Sequence, residues 1–306
     1  MKTINPMSFI KPLIMLILVF ITFFSKANNV DLIKYNVGYK LNNTLCIISV
    51  NGIEALANYE RKGPIMAGLT VSAYLENGTN SVALDMAPIG VIEGDDNYQS
   101  NAYCELRASK IAAHETSRNR IELFKLIGSV DENLQPTGKT SPDYEANQVT
   151  EQAVDGTILY RVSKSFEVSG LPEWTWTKAT SFEPTEENMQ KLREAYLEVW
   201  QAINTKNKQR FKELSYISFD EKEIAANYPG SWYISLGFDK DFEESVGAMP
   251  INWEEYEVVI LNKSRLVKLE DDDGFSPLRF KDVNGDLITS YNPYFSLIDG
   301  KMILTR

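Results

Sequence analysis

TLCIISV-NG-IEALANY, residues 44–60 less the last, that is Thr44 to Tyr59, is the stretch whose reading decides the fold. Seven strand-forming residues run into Asn51-Gly52, the strongest short hairpin signal, and a second strand-like run follows. Working outward, the same period-two pattern extends from about Asp31 to Phe182. Gly63-Pro64 breaks the chain; Leu69, Val71, Ala73 and Leu75 alternate with polar neighbours. Asn77-Gly78 then predicts a second hairpin turn into Val82, Leu84 and Met86, with Ala87-Pro88 as the stop. Further strands are predicted around Cys104, over Arg120 to Ile127 and over Gly156 to Val168. Short strands at this spacing predict an antiparallel β-sandwich over residues 28–183. Residues 131–155, rich in Asp, Glu, Asn and Pro, are expected to be a long polar loop.

At Pro184 the period changes. Met189, Leu192, Tyr196, Val199 and Ile203 fall three or four apart and predict a helix over 185–203, with Thr185 or Glu183 as its cap. A short helix holding Phe211 and Leu214 and another over 220–227 should follow. Trp232 to Phe238 then opens a run of strand-like segments joined by Asp273-Gly274, Asn284-Gly285 and Asp299-Gly300. The expectation for 184–306 is therefore an α+β domain, with helices over 185–228 and an antiparallel sheet over 231–306. The fold class is mainly β with α+β. Residues Leu75 to Val82 resemble a turn of jelly-roll and galactose-binding-like sandwiches. The helices before a sheet resemble the cystatin-like cone. Both resemblances imply fold class and no activity.

The amino terminus speaks of compartment. Lys2 and Lys11 precede an apolar run over residues 13–24 (LIMLILVFITFF), and Ser25-Lys26-Ala27 closes with small residues. This is the pattern of a cleaved signal peptide over 1–27, and the run is short for a membrane span of about 20 residues. The expected location is periplasmic or secreted. Two cysteines, Cys46 and Cys104, then read as one disulfide, the alternative being two buried free thiols. The formal net charge is −11, and loss of three leader lysines makes the mature chain more acidic. Phosphate backbones and anionic membranes would repel such a surface, so nucleic acid is excluded as a partner.

Catalytic sets are scarce. One histidine, His114, is too few for an imidazole-based zinc site, and no G-x-S-x-G elbow, Cys-x-x-Cys pair or Gly-rich phosphate loop is present. Asp271 to Asp273 and Asp282 to Asp286 fail the calcium-loop spacing and read as turns. No metal or cofactor is called for. The reading is thus an exported, non-enzymatic binding protein with a protein partner, for which a basic one suits the charge. A protector against a secreted toxin (an immunity-type protein) is one version. A glycan-binding module or glycosidase is the alternative, using Trp174 and Trp176 side by side on one strand face, with Glu173 and Tyr103 beside them. A structural envelope role is the third.

Overall fold

The computed structural model describes residues 32–115, 117–140, 149–154 and 157–306. The predicted signal peptide, 1–27, lies outside them. Ten strands build the amino-terminal part: β1 (Ile33–Asn42), β2 (Thr44–Val50), β3 (Ile53–Asn58), β4 (Pro64–Thr70), β5 (Gly78–Pro88), β6 (Tyr103–Ala112), β7 (Ile121–Val130), β8 (Pro136–Thr140), β9 (Val149–Ala153) and β10 (Tyr160–Val168). They form two five-stranded antiparallel sheets. Sheet A has the order β4-β1-β6-β7-β8, and sheet B the order β3-β2-β5-β10-β9.

The Asn51-Gly52 turn forms as predicted. Both residues take positive φ, 51° and 83°, which matches the twist of the flanking strands and puts Val50 opposite Ile53. Asn77-Gly78 does not make the second hairpin. β4 pairs with β1 in sheet A, whereas β5 pairs with β2 and β10 in sheet B. Between them Ser72–Tyr74 coils into a 3-10 turn that carries the chain across the sandwich. Val71, Ala73 and Leu75 are buried in that crossing, which accounts for their strand-like alternation. Asn77 serves as a tether instead: its amide donates to Leu171 O and its carbonyl accepts from Leu171 N.

Inward residues of both sheets, among them Tyr35, Val37, Leu41, Ile48, Leu84, Leu106 and Leu126, share one core. Cys46 of β2 and Cys104 of β6 are bonded through it and staple sheet B to sheet A. The predicted loop 131–155 contains two strands, β8 and β9. Each occupies a sheet edge, where polar side chains and a leading Pro136 are tolerated.

Four helices and seven short strands follow: α1 (Glu186–Asn204), α2 (Lys208–Ala226), α3 (Trp232–Ser235), α4 (Phe238–Glu244), β11 (Gly247–Ala248), β12 (Glu257–Leu261), β13 (Leu266–Glu270), β14 (Arg279–Lys281), β15 (Leu287–Ser290), β16 (Phe295–Ile298) and β17 (Lys301–Leu304). Thr185 caps α1 by accepting from Asn188 N at 3.3 Å. The two short helices expected after it are one helix, α2, capped by Asn207. Its buried stripe is Phe211, Ser215, Ser218, Phe219, Lys222 and Ala225, and the two serines and the lysine hid the apolar period. The predicted strand over Trp232 to Phe238 is helical. The expected single sheet is two, β11-β14-β15 and β12-β13-β16-β17. Leu304 is buried and Met302 packs beside it in the carboxy-terminal core, with Phe211, Phe238, Phe242 and Phe280.

A third cluster unites the parts. Ile53 and Ala73 from the sandwich pack with Trp174, Trp176, Ala225 and Leu266. Residues Asp31–Arg306 accordingly form one compact unit.

Candidate functional site: a glycine-floored groove on sheet A

β1 alternates strictly. Tyr35, Val37, Tyr39 and Leu41 point into the core, so Asn36, Gly38 and Lys40 face outward. Pairing carries that outward face across the sheet in rows. Met66, Lys40 and Glu105 make one row; Gly68, Gly38 and Arg107 the next; Thr70, Asn36 and Ser109 the third. Adjacent rows are about 7 Å apart along a strand and neighbouring strands about 4.8 Å apart. The middle row has no side chains on its first two strands. The result is a groove of about 540 Å³ whose floor is the backbone of Gly38 and Gly68.

Both glycines have ordinary negative φ, so close approach rather than turn geometry explains them. A Cβ on Gly38 would sit 3.1 Å from Ala67 O, and one on Gly68 3.1 Å from Val37 O. One wall of the groove is Met66 and Lys40; the other is Thr70 and Asn36, joined by a 2.9 Å bond from the Thr70 hydroxyl to Asn36 Oδ1. Arg107 closes the inner end. Its guanidinium donates to Glu105 at 2.7 Å and lies 3.4 Å from Glu122. The hydrogen bond to Glu105 pushes the Arg107 pKa above its ordinary value. Arg120 also lines the groove, and among the described residues neither it nor Lys40 has an ion-pair partner. In an acidic chain this is a cationic island: Lys40, Arg107 and Arg120 against Glu105 alone in the lining.

No protein-family model, no curated protein and no solved structure matches this chain.

The residues singled out from the sequence do not assemble into one site. Trp174 and Trp176 are not on a strand surface; they flank and enter a 3-10 turn, Thr175–Lys178, and are 1% and 0% exposed. Trp174 Nε1 donates to Ser72 O and Trp176 Nε1 to Ala73 O, both at 3.0 Å. With their polar edges bonded inside, the indoles present no face for a sugar to stack upon. Arg306, itself buried, lies 5.5 and 5.8 Å from their ring centres. It donates to Ala73 O and to Glu221 Oε2, each at 2.6 Å. These tryptophans join the sandwich to α2 and the carboxy terminus. Glu173 points to solvent and pairs with Lys178 at 3.1 Å.

Tyr103 is placed differently. As the first residue of β6 it shares the outward parity of Glu105, Arg107 and Ser109, so it extends the grooved face without lining the groove. Cys46 and Cys104 form the disulfide expected from their count, a bond compatible with an oxidising compartment. Asp271 and Asp282 act as turn formers, accepting from the backbone amides two and four residues on. Among the described residues no three His, Cys, Asp or Glu side chains converge as a metal site.

Gly38 and Gly68 were the signal that sequence reading passed over. A glycine at the centre of an alternating strand, as in Val37-Gly38-Tyr39, marks a place where something approaches the backbone closely.

Proposed function

We propose that this chain is an exported binding protein that holds a partner protein against the outer face of sheet A. The observation that carries the reading is the glycine-floored groove with two cations at its rim, Lys40 and Arg120, that have no ion-pair partner among the described residues. A pocket with an apolar wall, Met66, a few placed polar groups and concentrated charge is where binding is expected on a sandwich face. The leader-like amino terminus and the disulfide support export. A protector that neutralises a toxic protein in the same compartment remains one version of this function. The basic partner that overall charge suggested gains no support from the groove, whose lining is cationic.

The test is capture of partners from an envelope extract by the wild-type protein and by Lys40→Glu/Arg120→Glu. Both positions are exposed, so the variant should fold normally. A protein retained by wild type and released by the variant is the expected result. Equal retention by both would remove the groove from the function.

A further inference from the structure

The groove's shape and charge together specify what enters it. We infer that its occupant is an aromatic side chain with a neighbouring carboxylate, presented by an acidic segment of a partner protein. This rests on the proposal that the outer face of sheet A is a binding face, and it names the chemistry of what is bound there.

Shape sets the ring. The bare floor spans two strands and lies between bounding rows about 14 Å apart, so a flat ring can lie directly on the glycine peptide planes. Glycines on edge strands are commonly covered by an aromatic neighbour, which shields their exposed peptide planes. Among the described residues no ring supplies that cover. Tyr39, the one aromatic residue among the described lining, turns its ring into the core, where its hydroxyl donates to Ala57 O. Gly68 lies on β4, at the open edge of sheet A, so a ring can enter from that side. Met66 stands exposed beside the floor, and its thioether suits a ring edge.

Charge sets the companion group. Lys40 and Arg120 stand at opposite rims with no ion-pair partner among the described residues, and Arg107 uses only part of its five-donor guanidinium on Glu105 and Glu122. A carboxylate adjacent to the ring meets these donors. Along an extended segment every second side chain shares a face, so acids two residues before and two after the aromatic residue lie on its face about 14 Å apart, which matches the two bounding rows. A basic segment would face repulsion from the same three cations.

The probe is the peptide acetyl-Glu-Thr-Tyr-Thr-Glu-amide, titrated into the protein while backbone amide resonances are followed. Acetyl-Gln-Thr-Tyr-Thr-Gln-amide and acetyl-Glu-Thr-Ala-Thr-Glu-amide test charge and ring separately. The acidic aromatic peptide should shift the amides of Gly38, Gly68 and Arg107. Each control peptide, and the acidic peptide on Lys40→Glu/Arg120→Glu, should bind at least about tenfold more weakly. Equal binding of a control, shifts confined to other residues, or no shift up to the solubility of the peptide would overturn the assignment. If that happens while the variant still releases a partner from extract, the binding face stands and only the ligand class falls. If the variant also retains every partner, the binding face itself is lost.

Discussion

Arg306 and Glu221 meet at 2.6 Å inside the protein, Arg306 in β17's carboxy-terminal extension and Glu221 on α2. The guanidinium is fully buried, and burial draws its pKa down to about 10 against the pull of Glu221. Glu221 uses its second oxygen on the Thr175 amide and hydroxyl, at 2.7 and 2.6 Å. One ion pair thus ties the last residue, the tryptophan turn and a helix together.

Removing the acid should cost more than removing the arginine it neutralises. Glu221→Gln leaves the arginine buried without a counter-charge, and breaking such a pair from one side costs about 3–5 kcal/mol. Arg306→Met, which removes the buried cation and keeps apolar volume against the indoles, should cost less. Urea denaturation of both variants measures the difference, and a Glu221→Gln protein as stable as wild type would contradict the assignment.

Lys222 gives the junction a pH dependence. Its amine is buried on the inner face of α2, 5.2 Å from the centre of the Trp232 ring, and desolvation, helped by repulsion from Arg306, draws its pKa down to about 7. The unfolded chain keeps this amine protonated up to its ordinary value. Between pH 7 and that value the unfolded state therefore binds more protons, so this lysine makes stability rise with pH. Below pH 7 both states are protonated and the full burial penalty is present. The slope is at most about 1.4 kcal/mol per pH unit. Chemical denaturation at pH 6, 7, 8 and 9 should show the rise in wild type and a flatter profile in Lys222→Met.

The disulfide closes a loop of 58 residues between the two sheets. Loop entropy puts its contribution at about 4 kcal/mol. Cys46→Ala/Cys104→Ala should lose stability of that order while keeping the groove, because both sulfurs lie in the core and the groove is on the opposite face of sheet A. Denaturation midpoints with and without reductant check it, and identical midpoints would contradict it.

Trp174 and Trp176 should behave as structural residues. Trp176→Ala empties a fully buried site and should cost about 3–5 kcal/mol. Binding measured on whatever fraction remains folded should be unchanged. Loss of binding with no loss of stability would return the indoles to the site.

The way these residues mislead shows what a sequence exposes and what it conceals. The Asn51-Gly52 hairpin and α1 were legible because each is specified locally, by positive-φ turn residues and by a periodic apolar stripe with a capping threonine. The Asn77-Gly78 turn uses the same letters, yet the partners of β4 and β5 lie in different sheets. Only tertiary pairing with β1 and β2 decides that. Ser215, Ser218 and Lys222 hide the inner face of α2, since polar residues are buried there. Trp174 and Trp176 suit packing first and a sugar-binding face second on sequence, and their burial decides for packing. Gly38 and Gly68 are 30 residues apart and become one floor only through the β1–β4 register.

The most direct measurement is site-specific photo-crosslinking in the cells that make the protein, with a photoreactive amino acid at position 66 and, as control, at the equally exposed position 283. Met66 borders the groove and Val283 lies on the turn between β14 and β15. The account predicts a discrete adduct with a partner protein from position 66, lost when Lys40→Glu/Arg120→Glu is added, and none from position 283. An adduct from position 283 alone, or from position 66 regardless of those charges, would contradict it.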